Sequence, residues 1–289
     1  MKWLKHPYCM LFIKLLITGI ALAIVLTSIS VKGILNIFLH VKLSWLILAT
    51  VLFTLSKFLS AHRLHAVLSN AEIAIPKDYN IHLYLLGMLY NFILPSGIGG
   101  DAYKVIKIEK DFGYTHKHIA SVVFFDRISG LLALCNIACI LILYIYFHMY
   151  LFPLLSMLIL LNILFYFILS KTYIKSFFSF QTEALSWGVQ LLQSLCAYAI
   201  VLSLDTHDHR IVYVCVFLIS SIVSVLPISI GGLGAREYTF MVAAGYLLIQ
   251  QDKAVCIGLL FYLITLLISL FGMYFIFKPI TKTSYYVQS

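Results

Sequence analysis

The chain has 289 residues, of which 62% are hydrophobic and 11% are charged, and its formal net charge is +9. An average soluble domain is about one quarter charged, so these proportions exclude a water-soluble fold. In a soluble protein the basic excess would indicate nucleic-acid binding, but here the basic residues stand mainly in short segments between apolar stretches. We expect anionic lipid headgroups, and not nucleic acid, to be the electrostatic partners.

Six apolar stretches are long enough to cross a bilayer, which takes roughly 17 to 25 helical residues. Backbone groups inside a bilayer must be satisfied internally, and these stretches lack the alternating pattern of barrel strands. The sequence therefore predicts an all-α polytopic membrane protein. The six predicted spanning helices lie at 15–31, 43–61, 119–147, 150–170, 184–203 and 254–277.

Two further apolar segments are interrupted by the same motif. Leu-Pro-x-x-Ile-Gly-Gly occurs at 94–100 and again at 226–232, and a basic residue follows the last glycine by four positions, as Lys104 and as Arg236. Proline removes a helix donor and glycine admits unusual backbone conformations, so each motif predicts a helix-break-helix hairpin. The first hairpin is predicted to be re-entrant, and the second fits either a re-entrant hairpin or two short spans. The predicted limbs are 81–94 with 101–112, and 211–228 with 235–250.

Lysine and arginine indicate the orientation. With the N-terminus inside, 13 of these residues fall in cytoplasmic segments and 4 in outside segments. This asymmetry obeys the positive-inside rule and places both termini in the cytoplasm. Each half, at about 10–147 and 150–278, then holds two spans, a hairpin and one more span in opposite orientation. We therefore predict one transmembrane domain over residues 1–289, an inverted repeat without a soluble domain, in a bacterial inner (plasma) membrane.

Inverted repeats with discontinuous helices are typical of alternating-access transporters, which bind substrate near the membrane midplane where the helices break. A helix that starts after Gly-Gly exposes free N–H groups and the positive end of its dipole, and an adjacent Lys or Arg adds a full charge. These features suit a phosphate group. The alternative is that Pro and Gly-Gly only kink the helices for close packing.

Asp126 and Arg127 follow the apolar run at 121–125, where a charge costs about 3 kcal/mol on insertion scales. Adjacent helical residues point about 100° apart, so we expect both to pair with other helices. The alternative is a purely structural ion pair. The expected partners are Asp101, Lys104, Arg236 and Glu237.

Lys57 stands in the second predicted span, near its end at residue 61. It either lines the same cavity or extends to the interface, as lysines near span ends commonly do. Six of the ten histidines, at 62, 65, 116, 118, 207 and 209, occur in short interfacial segments without a set of Cys or carboxylate residues to complete a metal site. We expect no metal and no cofactor.

Three motifs together resemble a known family. They are the run at 91–101, Asp126-Arg127-x-x-Gly130, and the run at 226–237. The chain is similar over about 10–278 to the lysylphosphatidylglycerol synthase transmembrane region, or flippase-like, family. Its best-known members carry a soluble domain that attaches lysine to phosphatidylglycerol, and their membrane region is implicated in moving the product between leaflets. No such domain follows Lys278, so the resemblance implies lipid translocation without aminoacyl transfer. Relatives without that domain occur beside pathways for polyprenyl-linked sugars and hopanoids, so the cargo stays open.

The sequence thus predicts a flippase-type transporter, not an enzyme, for a lipid with an anionic or zwitterionic headgroup. Lys104, Arg127 and Arg236 are expected to bind the phosphate, and the neighbouring carboxylates to hold these cations when the site is empty. One alternative is a non-transporting membrane partner of a separately encoded lipid-modifying synthase. Another is a membrane-embedded transferase acting on a lipid phosphate, for which the expected motifs are missing. The predicted substrate-binding residues are Pro95, Gly99, Gly100, Asp101, Lys104, Asp126, Arg127, Pro227, Gly231, Gly232, Arg236 and Glu237.

Overall fold

The computed structural model describes residues 37–93, 99–146, 153, 155, 157, 179–225, 234–247 and 249–277. All regular structure within these ranges is helical, as the sequence predicts. The helices in chain order are α1 (Leu43–Asn70), α2 (Lys77–Ile93), α3 (Gly99–Phe112), α4 (His116–Tyr146), α5 (Phe180–Ser203), α6 (Arg210–Val225), α7 (Ala235–Leu247) and α8 (Gln251–Leu270), and a 3-10 turn (Phe271–Met273) leads into α9 (Tyr274–Phe277).

Four helical stretches in the described residues are long and apolar enough to cross a membrane: α1, α4, α5 and the continuous stretch Gln251–Phe277. They coincide with four of the six predicted spans, although α1 continues nine residues beyond the predicted end at 61. The predicted span at 15–31 lies outside the described residues. So does the one at 150–170, except for residues 153, 155 and 157.

The outer surface of α1 shows why the fold requires a bilayer. Ile47, Val51, Leu55 and Phe58 are 57%, 49%, 49% and 52% exposed. Their spacing of three to four residues places them along one face of the helix. A continuous apolar face of this kind is favourable in hydrocarbon and unfavourable in water.

Antiparallel packing of α1 against α5 forms the centre of the bundle. At one end the Lys42 amide donates to the Ser203 carbonyl at 2.9 Å. At the other end Asn70 Nδ2 donates to Ser179 Oγ at 3.1 Å. An exposed ion pair joins Lys42 Nζ to Asp205 Oδ1 at 2.7 Å, and this hydrogen bond holds the pKa of the Asp205 carboxyl below its usual range. The two spans therefore run in opposite directions along their whole length.

The two interrupted segments are helical hairpins with limbs close to their predicted bounds. In the first, the ring of Tyr79 at the start of α2 lies 5.0 Å from that of Phe112 at the end of α3. In the second, the Gln250 amide after α7 donates to Tyr213 Oη of α6 at 3.1 Å. In each pair of limbs, the two helix ends that lie farthest from the break are thus in contact. The breaks themselves, at 94–98 and 226–233, lie outside the described residues.

Apolar clusters hold these hairpins against the spans. One cluster joins α1 and α4 to α8 and contains buried aromatic rings, among them Phe53, Phe217 and Phe240. A second packs the end of α1 against α2, α3 and the start of α4, through residues such as Leu64 and Ile108. Each hairpin therefore packs against spanning helices through its own apolar cluster.

Candidate functional site

The first turn of α3 carries a buried carboxylate held by two cations. Asp101 Oδ1 accepts from Lys104 Nζ at 3.1 Å, and Asp101 Oδ2 contacts Arg127 Nε of α4. Asp101 and Lys104 are 7% and 6% exposed, whereas the Arg127 side chain is 32% exposed. An acidic residue also suits the positive N-terminal end of a helix. This cluster joins α3 to α4, and about a third of the Arg127 side chain is exposed.

Gly100 allows the two limbs of the first hairpin to approach closely. Its amide donates to Asn91 Oδ1 of α2 at 2.9 Å. A Cβ atom added to Gly100 would lie 1.9 Å from the Gly87 carbonyl oxygen, which no side chain can tolerate. Gly100 therefore has a packing role, and the preceding residue Gly99 is also buried in the same turn.

An apolar groove of about 810 Å³ opens between α3 and α4 beside this cluster. Asp101, Arg127 and His116 line it together with apolar side chains. Phe124 and Ile106 in its walls are 64% and 57% exposed. A groove that is mostly apolar and carries a few charged and polar side chains matches an amphipathic ligand. Its other apolar lining residues are Ala102, Val105, Ala120, Val123, Ile128, Leu131 and Val225.

The second hairpin places Arg236 in a similar setting. Its guanidinium lies 5.3 Å from the ring centroid of Phe217 on α6 and 4.7 Å from that of Phe261 on α8. Its Nη1 also donates to Ser221 Oγ at 3.2 Å. In the first hairpin, Lys104 Nζ lies 4.6 Å from the ring centroid of Tyr84 on α2. In both hairpins the cation of the second limb therefore rests on an aromatic ring of the first limb.

Glu237 is fully buried and caps α7. Its Oε2 accepts from the Gly234 amide at 2.7 Å, the reach of a third-position glutamate back to the residue that precedes a helix. Gly234 has a φ of 82°, a conformation that favours glycine. Glu237 Oε1 faces Gly258 of α8, where an added Cβ would lie 3.4 Å away. The carboxylate therefore fixes the start of the helix that carries Arg236.

Asp126 pairs with Arg63, a partner that the sequence analysis missed. Arg63 Nε donates to Oδ1 at 2.8 Å and Nη2 to Oδ2 at 3.2 Å, and both side chains are 8% exposed. Gly130 makes room for the guanidinium, since a Cβ there would lie 2.7 Å from Arg63 Nη1. Ser186 Oγ of α5 lies 3.4 Å from the same Nη1. The expected pairing of Asp126 with another helix is confirmed, but the partner helix is α1.

The charged groups described above include more cations than carboxylates. Together with Lys57 of α1 they comprise five cations and three carboxylates. Asp126 and Arg63 neutralise each other, and Asp101 is shared by Lys104 and Arg127. These eight groups therefore include two more cations than carboxylates. An excess of this kind inside a helical bundle is favourable when an anion occupies it.

The described part of the chain brings together most of the predicted substrate-binding residues, in two places. Gly99, Gly100, Asp101 and Lys104 meet Arg127 at the first hairpin, and Arg236 and Glu237 lie at the second. Asp126 pairs with Arg63 instead. The other four predicted residues, Pro95, Pro227, Gly231 and Gly232, lie outside the described residues.

The family described as lysylphosphatidylglycerol synthase TM region matches residues 11–272 of the chain. This match confirms the resemblance drawn from the three motifs over about the same residues. No curated protein and no solved structure matches the chain.

Proposed function

The chain belongs to the lysylphosphatidylglycerol synthase TM region family, and we propose that it is a flippase-type transporter that moves a phosphate-bearing lipid between the leaflets of a bacterial inner membrane. The observation that carries this proposal is the pairing of excess positive charge with an apolar groove at the first hairpin. A lipid needs both: cations for its phosphate and an apolar path for its chains.

Arg127 is the proposed first contact for the headgroup. Its guanidinium is the more accessible of the two cations that hold Asp101, and it lies in the wall of the groove between α3 and α4. Guanidinium groups bind phosphate oxygens at two points, as they do carboxylates. An arriving phosphate would compete with Asp101 for Arg127, while the acyl chains lie along Phe124 and Ile106. Lys104 keeps Asp101 neutralised during this exchange.

Helix packing supports the inverted repeat that such a mechanism requires. The predicted symmetry relates α1 to α5, the α2–α3 hairpin to the α6–α7 hairpin, and α4 to α8. The antiparallel pair of α1 and α5 has the geometry expected of two equivalent helices beside a two-fold axis. Contacts across the two halves are also reciprocal, since α4 packs on α6 and α8 packs on α2. We propose that the hairpins open to opposite sides of the membrane and that their movement against the spans gives alternating access.

The test is lipid movement by the purified chain in liposomes. The probes are headgroup-labelled phosphatidylglycerol, aminoacyl-phosphatidylglycerol and a polyprenyl phosphate, and the variant is Arg127→Ala. Arg210→Ala is the matched control, because Arg210 lies at the start of α6 and donates to the Thr206 carbonyl at 2.6 Å, away from the groove. Movement of one lipid that is lost in Arg127→Ala and kept in the control would support transport and identify the cargo. Absence of movement for every lipid would favour the role of a membrane partner for a separately encoded lipid-modifying enzyme.

A further inference from the structure

Lys57 lies in the middle of the bundle and does not extend to an interface. It is 14 residues after Leu43 and 13 residues before Asn70, so about 20 Å of helix separates it from either end of α1. The alternative that Lys57 extends to the interface requires the span to end near residue 61. Helix α1 instead continues to Asn70. Its Nζ lies 4.6 Å from the ring centroid of Phe53, one turn back along the same helix.

Aromatic rings connect Lys57 to the cations of both hairpins. Phe53 packs edge-on against Phe261 at 5.3 Å, and the Arg236 guanidinium lies over the same Phe261 ring. On the other side, Lys57 shares a small cavity with Tyr84, the ring on which Lys104 rests. Three cations, one each from α1, α3 and α7, are thus arranged around one aromatic cluster.

Lys57 lacks the counterion that Lys104 has. Lys104 contacts Asp101 at 3.1 Å, whereas Arg236 donates to the Ser221 hydroxyl while its neighbour Glu237 caps α7. Lys57 has no carboxylate within ion-pair distance among the residues that the structure describes, and it is repelled by Arg63 as well. A charge held in this way inside a membrane protein is costly, and an apolar residue of the same length would pack without that cost. Packing therefore gives no reason for a lysine at this position, whereas a transient anionic ligand does.

We infer that Lys57, Lys104 and Arg236 form a mid-membrane anion site that receives the phosphate group of the lipid between its two end positions. This inference rests on the proposed transport function and adds a residue and an intermediate position to it. The cavity beside Lys57 has a volume of about 20 Å³, which is too small for a phosphate group. In this conformation the site is closed, and the phosphate enters as the hairpins move away from α1.

Lys57→Met and Lys57→Arg test the site, with Lys42→Met, at the residue that precedes the same helix, as the control. Methionine removes the charge at similar length, and arginine restores it. The liposomes contain the labelled lipid that the wild type moves. We expect Lys57→Met to move this lipid about ten times more slowly than the wild type, or slower still, as for loss of a buried charged contact. Lys57→Arg and Lys42→Met should retain most of the wild-type rate. Full activity of Lys57→Met would overturn the inference.

Thermal unfolding in detergent separates this role from a structural one. Because Lys57 lacks a counterion, we expect Lys57→Met to unfold at the wild-type temperature or above it. An unfolding temperature well below wild type would assign the residue to packing and overturn the inference.

Ligand binding provides a readout that does not depend on transport. Phosphatidylglycerol should raise the unfolding temperature of the wild type more than that of Lys57→Met, and phosphatidylcholine and glycerol phosphate serve as comparison ligands. A shift with phosphatidylglycerol alone would indicate a lipid site, and a shift with glycerol phosphate as well would indicate a general phosphate site. Equal shifts in wild type and Lys57→Met would overturn the anion site. If the wild type moves no lipid but still shows the Lys57-dependent shift, the transport function fails while the anion site stands.

Discussion

Arg63 of α1 and Asp126 of α4 form a buried two-point ion pair, with N–O distances of 2.8 and 3.2 Å. Adjacent to it in the chain, Arg127 turns to a different carboxylate, that of Asp101. Two neighbouring charged residues thus serve two different contacts. Asp126 fixes the position of α4 against α1, and Arg127 faces the groove. We therefore expect their substitutions to have different consequences.

Loss of one partner of the Arg63–Asp126 pair should destabilise the protein. Asp126→Ala leaves a buried guanidinium without its counterion, which costs about 3–5 kcal/mol. Replacing both residues, as Arg63→Met with Asp126→Leu, removes both charges and should recover most of this loss. The measurement is thermal unfolding of the purified variants in detergent. Equal instability of the double variant would mean that the hydrogen bonds, and not charge compensation, maintain the contact.

The sequence predicted the bounds of the helix that follows each motif closely, because Pro and Gly-Gly act locally. The predicted limb bounds at 101–112 and 235–250 differ by at most three residues from those of α3 and α7. The Arg63–Asp126 pair could not be read in this way, because its partners are 63 residues apart in the chain. The apolar run also ends near residue 61, which places Arg63 beyond the predicted span, although the helix continues to Asn70. Packing against other helices buries this last stretch of α1. The ion pair with Asp126 therefore stabilises Arg63 at a position that hydropathy alone places outside the span.

Gly100→Ala should disrupt the first hairpin. The new Cβ would lie 1.9 Å from the Gly87 carbonyl oxygen, and a backbone atom cannot move aside as a flexible side chain can. We expect a loss of about 3 kcal/mol or more, at the upper end for an overpacked site. Thermal unfolding measures this loss directly.

Gly245→Ala is the matched control for that substitution. Gly245 also lies within a helix, α7, but a Cβ there meets nothing within 4 Å. Alanine should leave stability unchanged or raise it by about 0.5–1 kcal/mol, since glycine weakens helix interiors. A loss of similar size at both positions would argue against close packing of the limbs of the first hairpin.

The distribution of basic residues predicts which loops face the cytoplasm. In a variant without the six native cysteines, Thr115→Cys lies between α3 and α4, and Asp208→Cys lies between α5 and α6. Both positions are exposed. In intact cells with a permeabilised outer barrier, a membrane-impermeant maleimide should label Asp208→Cys, and it should label Thr115→Cys only after lysis. The reverse pattern would invert the orientation, and labelling of both in intact cells would contradict the antiparallel arrangement of the spans.

Arg236 should depend on the shape of its side chain as well as on its charge. The guanidinium lies over the rings of Phe217 and Phe261 and donates to Ser221 Oγ at 3.2 Å. A lysine keeps the charge but cannot stack as a plane and reach the hydroxyl together. Stacking of this kind contributes about 0.5–2 kcal/mol, so Arg236→Lys should slow lipid movement by roughly three- to thirtyfold in liposomes. Ser221→Ala removes only the hydrogen bond and should have a smaller effect. If Arg236→Lys moves lipid at the wild-type rate, charge alone matters at the second hairpin. Arg236 and Lys104 would then be equivalent in charge but not in their stacking on a ring.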